Sequence, residues 1–410
     1  MRKSLLLPLS AFLLSSVLLM AYRNDRPAGL PPVKKVIITG ADQTSEYIPY
    51  LRGKRVGILA NITSIIGKKL SVDSMESLGI NIKMIFGPEH GFRANASNGA
   101  KVGNEVDPIT GIPIISLYGQ KRRPSKEDMD SLDVMMFDLQ DVGCRFYTNI
   151  NVLAEVMSSC AEFNKELVIL DRPDPNGFVD GPVLDMNLKS GLGRFPIPIT
   201  HGMTIGEFAQ MINGEGWLPN KEQCKLKIIK VKNYSHNMDY TLPVSPSPNL
   251  NTQQSVLLYP SLCLFEGTYV SQGRGTYIPF TVLGSPELKG IYDFSFTPVS
   301  IPGKSETPLH QDTACYGLDL RNFDISKYRK EGKINIRWMM DLYKVYPHKE
   351  NFFNKKLSKQ MGDIDRLAGT TRFKEQIVAG ASEEEIRASW EPALSEYKKM
   401  RVKYTLYPDK

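Results

Sequence analysis

The chain has 410 residues, with 51 Lys+Arg against 44 Asp+Glu, 41% hydrophobic and 23% charged residues, 32 Gly, 27 Pro and 5 Cys. That length fits two domains of ordinary size, and the composition excludes disorder, a collagen-like fibre and a coiled coil. A net charge of +7 is mild and no dense Lys/Arg block lies outside the C-terminal tail, so nucleic acid is not an expected partner, whereas an acidic small ligand is compatible.

Met1-Arg2-Lys3 stand before an almost uncharged apolar run from Leu5 to Ala21, and charged residues follow at once. This is the pattern of a bacterial secretory signal, so the mature protein is expected outside the cytoplasm, in the periplasm or beyond. An uncleaved anchor is the alternative, because cleavage after Ala21 puts Leu19 rather than a small residue at the −3 position. Apart from that anchor, no membrane association is expected. Residues 22–44, with Pro27, Pro31 and Pro32, read as a linker.

From there, short apolar runs alternate with amphipathic segments, the signature of βα units feeding a parallel sheet. Strands are predicted at Arg55–Ala60, Ile82–Phe86, Ile112–Leu117, Val134–Leu139 and Leu167–Leu170, and helices at Ser71–Leu78, Ser125–Ser131 and Ile150–Asn164. These elements make a doubly wound α/β sheet, in a domain of residues 45–200. The second domain, 201–410, has a different texture, with Pro and Gly clustered at 243–303. Thr204-x-x-Glu207 and Ser382-x-x-Glu385 read as capping boxes that start helices.

In an open parallel sheet, ligands bind outside the carboxyl ends of the strands, and here those ends are loaded with polar residues. Asn61 follows the first strand. Gly87-Pro88-Glu89-His90-Gly91-Phe92-Arg93 follows the second, Asp138-Leu139-Gln140-Asp141 with Arg145 and Tyr147 the fourth, and Asp171-Arg172 the fifth. Turn formation and helix capping are the structural alternative for the Asp residues. Glu89 sits in a loop bounded by glycines that permit close backbone approach, and a carboxyl enclosed there would serve as a general acid; a surface ion pair is the bland alternative. Further on, His201, Asn249 and Glu266 lie in Pro/Gly-rich loops suited to a second cleft wall. Arg274, in Gly273-Arg274-Gly275-Thr276, suits an anion-binding turn.

Several chemistries lack their motifs. Neither G-x-G-x-x-G nor G-x-x-x-x-G-K-[ST] occurs, so no nucleotide cofactor is expected, and the esterase elbow G-x-S-x-G is absent. Cys144, Cys160, Cys224, Cys263 and Cys315 form no metal-ligand spacing and are expected as buried free thiols; no metal is expected.

Taken in order, Gly87–Gly91, Phe137–Gly143 with Arg145–Thr148, Asp171-Arg172-Pro173, Gly181-Pro182, His201–Glu207, Ser247-Pro248-Asn249 and Glu266-Gly267-Thr268 resemble the NamZ-type exo-β-N-acetylmuramidases, a glycoside hydrolase family formerly classed as a domain of unknown function. The resemblance runs from about residue 45 to the C-terminus. It implies a Rossmann-like domain with a smaller α+β domain, removal of terminal N-acetylmuramic acid from non-reducing ends of peptidoglycan fragments, and Glu89 as catalytic residue. The lactyl carboxylate of this sugar calls for Arg, with Arg93, Arg145 and Arg274 as candidates. Asp138 or Asp141 is the candidate second carboxylate, unless the substrate's 2-acetamido group takes that role. Asn61, His90, Gln140, Tyr147, His201, Asn249 and Glu266 complete the expected binding set. One departure stands out: Gln272 occupies the place of a Glu in Ser-Glu-Gly-Arg-Gly-Thr of relatives. A non-catalytic muropeptide- or sugar-binding protein is the rival reading, with an amidase or esterase behind it.

Overall fold

The computed structural model describes residues 35–88, 91–93, 105–353 and 363–410. The expected signal or anchor, most of the expected linker, Glu89 and His90 lie outside the described residues. Among the described residues, no helix is long and apolar enough to cross a membrane.

Residues 37–410 form one compact unit. Its centre is a seven-stranded sheet of β1 (Val56–Ala60), β2 (Ile82–Gly87), β3 (Glu105–Val106), β4 (Pro113–Ser116), β5 (Val134–Asp138), β6 (Glu166–Leu170) and β7 (Lys225–Ile229), in the order β7-β6-β5-β1-β2-β4-β3. All neighbours are parallel except β3, which pairs antiparallel with β4 at the edge. The central strands β1 and β5 are buried at every position, as sheets covered on both faces require. Helices α1 (Thr44–Leu51) and α2 (Ser71–Ser77) pack Tyr47, Ile48, Leu51, Val72 and Met75 into the core on one face. Short α3 (Lys126–Asp130), α4 (Asn149–Glu162) and α5 (Ile205–Gly214) pack Met129, Leu153, Met157, Phe208 and Ile212 into the other. This is a Rossmann-like, doubly wound α/β fold. Its chain reverses direction across the sheet between β1 and β5, the place where such folds open a crevice.

The five predicted parallel strands are present with ends shifted by a residue or two. A sixth, β7, comes from beyond residue 200 and lies outside the predicted set. Its exposed and half-buried Lys225–Ile228 belong to an edge strand and lack the apolar run that marks the others. Ile38, inside the segment read as a linker, bridges to Lys232 just after β7.

The C-terminal part is built on α6 (Gln253–Leu262) and a three-stranded antiparallel sheet of β8 (Val282–Ser285), β9 (Ser295–Phe296) and β10 (Cys315–Asp319), ordered β8-β10-β9. Helices α7 (Ile325–Glu331), α8 (Arg337–Val345), α9 (Lys349–Phe352), α10 (Ile364–Ala368), α11 (Arg372–Val378) and α12 (Glu383–Val402) complete it around one apolar core. Both capping boxes are present: the Thr204 and Ser382 side chains accept from the backbone N–H groups of Glu207 and Glu385 and start α5 and α12. All five cysteines are free and buried. The chain end then returns to the parallel sheet, where the Tyr407 hydroxyl donates to Asp171 Oδ2 at 2.6 Å and the N–H groups of Leu406 and Tyr407 donate to Glu207 Oε1.

Candidate active site

At the carboxyl ends of β1 and β5, most polar side chains hold one another. Asn61 Oδ1 accepts from both the N–H and the hydroxyl of Thr63, and Ser64 Oγ donates to the carbonyl of Asp138. The Asp138 carboxylate is fully buried and pairs with Arg172, Nε at 2.8 Å and Nη2 at 2.7 Å. Burial pushes the Asp138 carboxyl up, against the pull of Arg172. Gln140 spends its amide on the carbonyls of Asp141 and Pro173. These contacts fix the crevice floor.

Beyond that floor lies a cavity of about 110 Å³. Asn61 contributes from the end of β1, Phe146-Tyr147-Thr148-Asn149 from the entry to α4, and Pro246, Ser247, Asn249 and Leu250 from the segment ahead of α6. Tyr259, Cys263, Glu266, Arg274 and Phe280 complete it from the C-terminal part. Its aromatic wall is edge-packed, with Tyr259 centred 5.4 Å from Phe146, 6.1 Å from Tyr147 and 5.1 Å from Phe280. Tyr147 is oriented by its hydroxyl, which donates to Pro246 O at 2.8 Å, and Asn249 by its amide, which donates to Lys304 O at 3.0 Å.

Among the described residues that line this cavity, the charge is one pair. Arg274 places Nε at 2.9 Å and Nη2 at 2.6 Å from the same oxygen of Glu266, with its guanidinium 5.0 Å from the Phe280 ring centroid. Burial works against the charged Arg274, but the Glu266 carboxylate outweighs it and holds the guanidinium firmly protonated. A fixed cation on an aromatic wall, with amide and hydroxyl groups around it, suits a carboxylated sugar: apolar ring faces meet aromatic rings, and the acid group meets Arg. A larger cavity of about 740 Å³ lies between the 236–239 loop, α7 and the end of α12. No residue predicted for the site lines it, so the smaller cavity is the candidate site.

The predicted residues therefore separate into groups. Asn61, Tyr147, Asn249, Glu266 and Arg274 are brought together around the cavity. Arg93 does not line it: its guanidinium is held by Asp107 at 2.6 and 2.8 Å and by Asp73 at 3.1 Å, and it draws the Asp107 carboxyl down to about 2. Arg145 is also elsewhere, fully buried and donating to the carbonyls of Pro182, Ile197 and Leu367 at 2.8 Å each. Asp141 accepts from Gly143 N at 2.8 Å and lies 3.6 Å from His201 Nε2; both side chains are buried and neither lines the cavity. Glu89 and His90 follow β2, which pairs with β1 in a register that sets Phe86 opposite Leu59, so the chain leaves β2 beside Asn61. Reasoning from sequence does not single out Phe146, Tyr259 and Phe280 as wall residues. Phe146 lies beside Arg145 in one of the motifs, but nothing local marks which aromatic faces a cavity.

Family models for the exo-beta-N-acetylmuramidase NamZ match the chain along most of its length, the N-terminal model over residues 56–254 and the C-terminal model over residues 257–407. The peptidoglycan beta-N-acetylmuramidase NamZ of Bacillus subtilis (strain 168) is 35% identical over 425 aligned positions, covering 99% of this chain and all of that protein. Two crystal structures of DUF1343 family proteins from Bacteroides fragilis NCTC 9343 share the fold. One has a TM-score of 0.83 at 43% identity and the other 0.76 at 27%, each covering 92% of this chain and all of the other. The class so defined is that of the glycosidases, built here on a Rossmann-like sheet. Within it, the chain belongs to the exo-β-N-acetylmuramidase NamZ family.

Proposed function

We propose that the protein is an exo-acting hydrolase that removes terminal β-1,4-linked N-acetylmuramic acid from the non-reducing ends of peptidoglycan fragments, with Glu89 as general acid. The observation that carries this reading is the cavity at the sheet's reversal point, whose one cation among the described residues, Arg274, stands on an aromatic wall where a lactyl carboxylate would be read. Family membership over both halves of the chain supports the substrate class. The place of Glu89 in the sequence, just after β2, supports its role, since β2 pairs with β1, the strand that Asn61 follows. Both carboxylates considered as its partner keep one oxygen without a hydrogen-bond partner among the described residues, Asp138 Oδ2 and Asp141 Oδ1, but Asp138 is in addition neutralised by Arg172. Substrate assistance by the 2-acetamido group is the alternative to Asp141. Peptidoglycan lies outside the inner membrane, which agrees with the secretory pattern of residues 1–21.

The test is chromophore release from a β-aryl N-acetylmuramide and the matching N-acetylglucosaminide, using protein that begins after residue 21. Cleavage of the muramide alone is expected, with Glu89→Gln slower by at least ~10²-fold at unchanged folding. Near-normal turnover by that variant would remove Glu89 from the mechanism, and cleavage of neither glycoside would overturn the reading.

A further inference from the structure

An exo-acting site divides its substrate in two: the sugar to be released enters the cavity, and the leaving sugar stays at the rim. Among the described residues, Tyr277 is the sole aromatic among the strongly exposed large apolar side chains, at 74% exposure. A single exposed ring is unremarkable on most surfaces, but the mounting of this one ties it to the cavity. It follows Arg274 by three residues, on a loop that two positive-φ glycines press against the rest of the C-terminal part. A Cβ on Gly273 would meet Val282 Cγ2 at 2.7 Å, and one on Gly275 would meet Pro308 Cγ at 2.5 Å. Thr276 bonds back to Gly273 O through both its N–H and its hydroxyl, and Val299 N donates to Gly275 O at 2.8 Å. The backbone presenting the ring is thus pinned on both sides.

The same loop is fastened to the segment ahead of α6. Asn251 Nδ2 donates to Tyr277 O at 3.1 Å, and Asn249, which lines the cavity, donates to Lys304 O at 3.0 Å. Lys304 Nζ in turn stands 5.3 Å from the Tyr277 ring centroid, steadying the ring while leaving most of it open. An aromatic ring held rigid and exposed, on the loop that carries the cavity-lining Arg274, matches the apolar face of a pyranose, and stacking on it costs little conformational entropy.

We propose that Tyr277 forms the subsite for the leaving sugar, the ring on which the N-acetylglucosamine after the scissile bond lies. This rests on the reading of the cavity as the site for the terminal N-acetylmuramic acid. It assigns Tyr277 a part in choosing substrates by the group on the leaving side of the cleaved bond, a role separate from Arg274 and Glu89.

The experiment compares two substrates for the wild type, Tyr277→Ala and Tyr277→Phe: the disaccharide of N-acetylmuramic acid β-1,4-linked to N-acetylglucosamine, and methyl β-N-acetylmuramide, which has nothing to lay on the ring. Released N-acetylmuramic acid is quantified by chromatography. Tyr277→Ala is expected to lose about fivefold or more in kcat/KM on the disaccharide, with the methyl glycoside unchanged and Tyr277→Phe close to wild type on both. Equal losses on the two substrates, or no loss on the disaccharide, would overturn the subsite. If wild type cleaves neither substrate, the muramidase reading itself falls and the subsite with it, a result distinct from a wild type that cleaves both while Tyr277→Ala does not discriminate.

Discussion

Replacing Arg145 by Met distinguishes an internal brace from a substrate-reading arginine. Among the described residues no carboxylate pairs with this guanidinium; its three donated bonds go to backbone carbonyls of Pro182, Ile197 and Leu367. Burial draws its pKa down to about 9, which corresponds to about 5 kcal/mol of cost for keeping it charged. Three charge-assisted bonds at about 2 kcal/mol each are of the same size as that cost, so the charge itself is nearly neutral in the balance. Removing it is not neutral, because the carbonyls of Pro182 and Leu367 lose a donor in a dry interior and a space opens beside Gly369, whose Cβ position lies 2.7 Å from Arg145 Nη2. The expected destabilisation is about 4 kcal/mol. With an unfolding entropy of about 2.1 cal/mol/K per residue, that lowers Tm by about 5 °C for a unit of residues 37–410. Thermal unfolding followed by circular dichroism measures the shift, and kinetics on the aryl muramide should show KM within twofold of wild type. An unchanged Tm together with a tenfold rise in KM would refute the brace and return Arg145 to the substrate.

Arg274→Lys keeps the charge but loses the fork that meets a carboxylate on two atoms; kcat/KM on the aryl muramide is expected to fall about 10- to 100-fold, while any residual activity on the glucosaminide stays constant, and equal effects on both glycosides would count against a lactyl contact. The pH dependence of stability follows from two carboxyls that burial raises to about 6, Asp171 and Asp174. Because their folded values exceed the unfolded value of 3.8, the folded state takes up protons first, so stability rises as pH falls from about 6 toward 4. Below that window Asp107, which Arg93 holds at about 2, reverses the trend as it protonates. Tm is therefore expected to be higher at pH 5 than at pH 7.5, and Asp174→Asn should flatten that difference; a Tm that falls steadily from pH 7.5 to 5 would contradict the assignment.

The sheet is legible in the sequence because its central strands are buried on both faces, which writes them as runs such as Val56–Ala60 and Val134–Asp138 that need no partner to be recognised. Capping boxes are legible for a related reason: Thr204 and Glu207, or Ser382 and Glu385, satisfy each other within one turn. The edge strand Lys225–Ile229 is not legible, since its outer positions meet solvent and its apolar pattern breaks. The arginines show the same limit more sharply. Arg93, Arg145 and Arg274 look alike in a sequence, yet the groups that decide their roles lie 14 and 20 residues away for Arg93, 37, 52 and 222 away for Arg145, and 8 away for Arg274.

Polar residues concentrated at strand ends therefore point to the site without being the site. A parallel sheet leaves backbone groups and helix entries to be satisfied where its strands stop, and in this chain Asp138, Arg172, Gln140, Thr63 and Ser64 are used for that purpose. Such a layer is rigid and has little capacity left for a ligand. The groups that remain for a ligand stand one layer further out, on segments that the inner layer anchors: Asn149 Nδ2 donates to Gln140 O at 2.9 Å, and the chain around it carries Phe146 and Tyr147 into the cavity wall. The C-terminal part then supplies the cation and its carboxylate from a single stretch, Glu266 to Arg274, so the cavity gains its charge only when the two halves pack together. On the proposed function, recognition of a carboxylated sugar is in this sense a property of the whole compact unit, and neither half of the chain carries it alone.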